Sequence, residues 1–369
     1  MAVDQDTMRM LRVEPDTSEG LDLSWMDQTG ERGIAAKPGR RGLTLEEINQ
    51  GSYGDAPATA EELTMAPRGA AHRTGVPRIG YYVPKKSDIW SQNAAMLYEE
   101  AVQRQWSSAT DIPWDALQPL PDDVERAYSQ FCTFLTEVEF IAGDTPGQWL
   151  PQISNDHYEV KMFLASQIMD EARHLDVFRK RALANGGGLM QSSGNAGLRI
   201  IIEAKDFTEM STIMHVQGEG LVQSIFRMGE YIATNEAEKR IFRLSAQDES
   251  RHVAFGVMHL KYILETEPER REEIHSYLEK AEPIIGAGAG TAPVAGGSPV
   301  FGSSLAVLFG HTLGTPEEGG QMALAAFRRQ LNEYMHRLEV AGMGERRYRL
   351  PAAIQAILEP PKSNGNGAH

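Results

Sequence analysis

Two nearly identical pentads constrain this chain more than anything else in it: Asp170-Glu171-Ala172-Arg173-His174 and Asp248-Glu249-Ser250-Arg251-His252. Each contains Glu-x-x-His. On a helix, residues three apart share a face about one turn apart. Glu171 with His174, and Glu249 with His252, can therefore each aim an oxygen and a nitrogen at one point. One such motif is weak evidence in a chain with ten histidines. Two copies in matching contexts, each with Asp before the Glu and Arg before the His, predict two facing helices with metal ions between them.

The surroundings of the pentads read as long helices. Pro121-Asp122-Asp123 opens one, with a helix-compatible proline and acidic residues in the first turn. It is expected to run to about Gly143, because Pro146 should stop it. A second runs from about Ser154–Asp156 to Ala184 and ends at Gly186-Gly187-Gly188. A long stretch from Asn195 to Ala233 and a helix from Glu236 to about Glu265 complete a set of four. The expected fold class is all-α: a ferritin-like four-helix bundle with additional flanking helices.

Around the core bundle (about 121–265), residues 1–85 read as an extended or disordered tail with a short helix near Leu43–Asn49. Residues 86–345 form the helical domain, opening with a helix over Ser91–Trp106. A Gly/Ala-rich loop spans 281–304, helices follow at 305–342, and 346–369 reads as a disordered tail.

A di-metal bundle of this kind takes Glu-x-x-His from two helices and one Glu from each of the other two. On the first helix the choice lies between Glu137 and Glu139. Glu139 shares its stripe with Phe131, Cys132, Leu135 and Ala142; Glu137 shares its stripe with Arg126, Gln130 and Asp144. A carboxylate on a core face is costly unless paired or bound to a cation, which favours Glu139. On the third helix the candidates are Glu203, Glu209, Glu219 and Glu230. Glu139 lies 32 residues before Glu171, Glu219 lies 30 before Glu249, and Glu203 lies 46 before it. Matching hairpin arms select Glu219. It stands between Gly218 and Gly220, and mid-helix glycine costs about 1 kcal/mol against alanine, so a local distortion such as a π-bulge is expected there.

The proposed metal ligands are Glu139, Glu171, His174, Glu219, Glu249 and His252. Asp170 and Asp248 are expected to orient the histidine of the opposite helix, with Arg173 and Arg251 balancing their charge. His215, Phe178 and Gln223 are candidates for the pocket, along with Leu135, Ala142, Gln167, Ser245 and Phe255. Four carboxylates and two imidazoles form a hard, oxygen-rich set that suits iron or manganese better than structural zinc.

Composition narrows the function classes. The net charge of −15 argues against a nucleic-acid binder. No apolar run reaches the roughly 18 residues of a membrane span. One cysteine, Cys132, excludes an internal disulfide and points to a reduced, cytoplasmic setting.

The two Asp-Glu-x-Arg-His segments, each preceded by a Glu some thirty residues earlier, resemble the ferritin-like di-iron carboxylate proteins. These include bacterial multicomponent monooxygenase hydroxylases, acyl-carrier-protein desaturases, arylamine N-oxygenases and ribonucleotide reductase small subunits. Glu139-Phe140-Ile141-Ala142 is similar to the stretch around the first monooxygenase ligand. The resemblance covers about residues 120–265. It implies two iron ions, or a manganese–iron pair, that activate O2. Reaction is with a small organic substrate (hydroxylation, N-oxygenation or desaturation), and electrons come from an external donor such as a reductase or ferredoxin. A homodimer is the expected assembly. Alternatives are a metal oxidase like the reductase small subunit, and a ferroxidase without an organic substrate. Two positions depart from the family pattern. Phe178 stands where the reductase subunits carry their radical tyrosine, and Gln223 stands where monooxygenase hydroxylases carry threonine.

Overall fold

The computed structural model of the protein describes residues 5–10, 23–27, 34–61, 63–192, 196–288 and 299–358. Among these the regular structure is helical, with isolated bridges and no strand. The principal elements are α1 (Ala94–Gln103), α2 (Asp122–Trp149), α3 (Tyr158–Ala184), the composite α4, α5 (Glu236–Thr266), α6 (Arg271–Gly288), α7 (Pro299–Leu313) and α8 (Pro316–Val340). Helix α4 is built from α-helical Phe207–Ser211, π-helical Thr212–Glu219 and α-helical Gly220–Ile232.

Helices α2 and α3 pack along their lengths as one hairpin, and α4 and α5 as a second. Each pair is joined by a link far shorter than its helices, so its arms run antiparallel. The hairpins face each other through a core in which Phe178, Phe226 and Phe242 cluster at ring separations of 5.2–6.3 Å. At the other end Phe163 stacks on Phe255 at 4.4 Å. The four long helices therefore form a ferritin-like bundle. Helix α1 lies on α3, α7 covers α2, and α8 packs against α7 and α4.

A second stabilising layer is ionic. Arg181 of α3 is buried against Glu125 of α2 (2.7 Å) and Glu238 of α5 (2.7 Å). Its guanidinium also sits over the Tyr128 ring. Three helices are thus tied at one level, away from the pentads.

The structure revises several sequence expectations. Helix α2 continues through Pro146 to Trp149; the proline removes one amide donor, and the Leu150 amide still bonds its carbonyl. The stretch from Asn195 is broken. A short helix, Ala196–Ile202, ends before Asp206, whose side chain caps α4 by accepting from the Glu209 amide at 2.7 Å. Much of the 1–85 segment is extended but docked: Leu45, Ala56, Ala60 and Tyr81 are buried, and Arg68 bonds Glu159 on α3. The short helix expected near Leu43–Asn49 is Leu45–Ile48. Helices α6 and α7 extend into the expected 281–304 loop from both sides, leaving 289–298 outside the described residues. The expected tail from 346 begins with a buried Arg346 paired to Glu282 at 2.6 Å, and a helix, Ala352–Leu358, packs Ile354 into the core. Its final residues, 359–369, lie outside the described set.

Candidate metal centre

Helix periodicity brings the two pentads face to face. On α3, Asp170, Glu171, Arg173 and His174 are all buried, and on α5 so are Asp248, Glu249, Arg251 and His252. Glu139 reaches in from α2 and Glu219 from α4. Six side chains, each 4% exposed or less, converge between the hairpins.

They form two overlapping groups: Glu139, Glu171, His174 and Glu249, then Glu171, Glu219, Glu249 and His252. In each group the ligand atoms lie within 4.8 Å of one another. Glu171 and Glu249 belong to both. Glu171 Oε2 is 3.0 Å from Nδ1 of His174, and its Oε1 is 3.1 Å from Nδ1 of His252. Glu249 spans the same gap in the opposite sense, 3.3 Å from His174 Nδ1 and 3.4 Å from His252 Nδ1. Glu139 lies 3.6 Å from His174, and Glu219 lies 3.9 Å from His252. Two carboxylates are shared, and each end has one further carboxylate and one imidazole.

This donor set fits two metal ions on two independent grounds. Both oxygens of Glu139, Oε1 of Glu171, Oε2 of Glu219, Oε2 of Glu249 and Nδ1 of His252 are buried without a hydrogen-bond partner among the described residues. Buried polar atoms are normally satisfied, so a cluster of orphans aimed at common points is a cradle for cations. Four carboxylates against two imidazoles also leave a negative excess that two divalent ions offset. The cluster is thus able to hold two metal ions.

The protonation pattern of the metal-free cluster reflects the same excess. Burial pushes the carboxyls of Glu139 and Glu219 well above the usual range, aided by neighbouring carboxylates. Burial acts likewise on Glu171, but His252 and His174 hold it well below that range. For His174 and His252, burial opposes the charge. The carboxylates on both sides outweigh it and hold the imidazoles well above their ordinary value.

Behind the histidines lies a second ring of charge. Nε2 of His174 is 3.2 Å from Asp248 on α5, and Nε2 of His252 is 3.3 Å from Asp170 on α3. With the Nε2 proton given to an aspartate, each Nδ1 lone pair is left facing the ligand cradle. Arg251 bonds Asp170 at 2.8 Å and Asp248 at 2.5 Å; Arg173 bonds Asp248 at 3.1 Å and also Asp170. Two aspartates and two arginines thus neutralise each other in a closed, crossed quartet.

The other candidates take different places. Glu137 is half-buried and outside the groups. Glu203 pairs with Arg199, Glu209 with Lys280 at 2.9 Å, and Glu230 with Arg243 at 2.7 Å. His215 is one step removed from the ligands. Its Nε2 faces the Gln167 oxygen at 3.1 Å, and the Gln167 amide donates to Glu219 at 2.7 Å. Burial, with His252 and His259 nearby, pulls the His215 pKa well below its usual value. Phe178 fills the aromatic cluster beside His174, and Gln223 faces a cleft between α4 and α8.

The distortion expected at Gly218-Glu219-Gly220 is the π-helical stretch Thr212–Glu219. A Cβ at Gly220 would collide with the Arg337 guanidinium of α8, and one at Gly256 with His215, so bare backbone permits both close approaches. One partner escapes sequence reasoning altogether. The Trp106 indole donates to Asp248 at 2.7 Å and stacks near His174 at 6.4 Å. Trp106 follows α1, outside the bundle, and no periodicity marks it.

Four long helices carry a buried carboxylate–histidine cluster able to seat two ions across two hairpins, the arrangement found in ferritin-like di-metal carboxylate bundles. No family model and no curated protein matches the chain. Among solved structures it is similar to R2-like ligand-binding oxidases. A variant with anaerobically reconstituted Mn/Fe cofactor aligns at TM-score 0.49 with 18% identity, covering 68% of this chain and 94% of that one. The oxidase with aerobically reconstituted Mn/Fe cofactor (long soak) aligns at TM-score 0.45 with 17% identity, covering 66% and 93%.

Proposed function

We propose that this protein is a non-haem di-metal oxidase that uses O2 to oxidise a small organic molecule at the cluster. The observation that carries the proposal is the pair of shared carboxylates. Glu171 and Glu249 each face both histidines, an arrangement that would hold two ions as neighbours rather than as separate structural sites. Iron, or manganese with iron, suits this hard donor set. When bound, such a pair supplies the electrons for reducing O2, chemistry that no side chain here provides.

The protein's own part is placement and exclusion. The aspartates fix the histidine tautomers, and the arginines bond the aspartates in place. The aromatic walls around Phe178 and Phe255 keep bulk water away. A hydroxylation balances as substrate C–H plus O2, two electrons and two protons giving C–OH and water. The electrons then come from an external donor, and the acidic surface suits a basic reductase or ferredoxin. Oxidation of the substrate rather than of a protein tyrosine is favoured by Phe178, which has no phenolic hydroxyl.

Anaerobic loading with Fe(II), or with Mn(II) plus Fe(II), followed by O2 tests the reading. Oxygen uptake coupled to metal oxidation is expected in wild type and not in Glu171→Ala. Loaded wild-type protein that consumes no O2 overturns it. Repeated turnover of excess Fe(II) with mineral as the product would instead make the protein a ferroxidase.

A further inference from the structure

A sizeable cleft lies beside the metal cluster, between α4 and α8. It encloses about 650 Å³ and reaches residues adjoining the cluster: Gln223, one turn past Glu219, and Val253, next to His252. Its lining is unusual for an acidic protein. Arg227, Arg328, Arg329 and Arg337 contribute four guanidinium groups against one carboxylate, Glu333. That carboxylate is already engaged by Arg329 at 2.9 Å and by the Ser224 hydroxyl.

Arg337 is the informative member. It is only 8% exposed, yet among the described residues no carboxylate lies within ion-pair distance of it. Its Nε donates to the Val216 carbonyl at 2.9 Å, inside the π-helical stretch, while Nη2 is buried and has no partner among the described residues. Burial lowers its pKa to about 10, and Tyr334 and the more distant Glu333 offset this only in part. A buried guanidinium with an unused donor is costly unless something supplies the acceptor. Arg328 gives its Nε to the Ile357 carbonyl, and exposed Arg227 stands near enough to depress Arg337 further.

We propose that this cleft binds the anionic group, carboxylate or phosphate, of a small organic substrate, with Arg337 at its floor and Arg227 and Arg328 at its mouth. The planar guanidinium fork matches both oxyanions bidentately. Anchored there, the remainder of the molecule points past Gln223 toward Glu219 and the cluster. This assignment of the anion as a substrate group rests on the oxidase reading above; the cleft's affinity for anions does not.

Titration of the metal-loaded protein with benzoate, phenyl phosphate and the neutral benzamide, followed by calorimetry, tests the proposal. At least one of the two anions is expected to bind, benzamide at least tenfold more weakly. Whichever anion binds more tightly identifies the head group. Arg337→Gln is expected to abolish anion binding. Because Arg337 also holds the Val216 carbonyl, Arg227→Gln is the companion variant. It lies on the surface, should fold normally, and should weaken the anion severalfold. Equal binding of benzamide and the anions, no binding of either anion, or anion binding that Arg227→Gln leaves unchanged (as direct capture by the metals would) overturns the assignment. Metal content measured on the same samples separates the two readings. Protein that binds anions but takes up no metal retains the cleft and loses the oxidase.

Discussion

Asp248, on α5, accepts from Nε2 of His174, on α3, at 3.2 Å, and the mirror contact joins Asp170 of α3 to His252 of α5. Each helix thus orients the ligand of its partner. Asp248→Asn keeps the shape but weakens the acceptor and upsets the arginine quartet. Partners of this kind are worth about 10–100-fold in metal affinity. We expect a loss of that order in a competitive chelator titration, with helix content by circular dichroism unchanged. Affinity equal to wild type would deny Asp248 its orienting part.

Glu171 and Glu249 are shared between both ligand groups. Glu171→Ala or Glu249→Ala should therefore empty both positions, whereas Glu139→Ala or Glu219→Ala should weaken mainly one. Elemental analysis of the purified variants reads this directly. Full stoichiometry in both Glu171→Ala and Glu249→Ala would disprove the ligand assignment.

Metal uptake should release protons. In the metal-free cluster His174 and His252 are held well above their ordinary pKa, mainly against burial and by the surrounding carboxylates. A raised folded-state value gives stability that is complete below the unfolded pKa of about 6.5 and is lost as pH rises through the higher folded value. Metal-free protein should thus lose thermal stability on the alkaline side, and loaded protein should be less sensitive there. Calorimetric loading at neutral pH in buffers of different ionisation enthalpy should show at least one proton released per histidine, with Glu139 and Glu219 able to add to it. A heat independent of buffer would contradict this.

Arg181 is a separate test of the scaffold. Arg181→Met leaves Glu125 and Glu238 facing each other without their cation. Breaking one side of a buried ion network costs about 3–5 kcal/mol. Urea denaturation should report a loss of that size, while the folded fraction keeps its metal.

The glycines flanking Glu219 should separate. Gly220→Ala forces a methyl group against the buried Arg337 guanidinium, and overpacking of this sort costs about 1–3 kcal/mol. At Gly218 the nearest atom to a new Cβ is the Ile213 carbonyl at 3.4 Å, so Gly218→Ala should stay within about 1 kcal/mol of wild type. Thermal unfolding of the pair, read against wild type, decides it.

What the sequence could convey was what repeats along a helix. The pentads mark both histidine ligands because a three-residue spacing is a local property. Glu139 stands out from Glu137 because its stripe is apolar, and the structure buries it. Glu219 emerges from hairpin arithmetic that holds although α4 starts later than periodicity suggests, since only the distance to the turn matters. Contacts made between distant segments leave no such trace. Trp106 reaches Asp248 from outside the bundle, and Arg337 arrives under Gly220 from α8. Arg346, in a stretch read as tail, is buried by Glu282 on α6. Pro146 misleads for a different reason: near a helix end a proline forfeits a single bond, which packing of the buried ring offsets.

The crossing of ligands between hairpins has a mechanical meaning. Each ion position draws three groups from one hairpin and a fourth from the other, Glu249 reaching toward α2 and α3, and Glu171 toward α4 and α5. Neither hairpin can complete a cradle alone. A bound ion therefore acts as a clasp that registers one hairpin against the other, so that losing it should loosen their docking while each arm keeps its own helical turns.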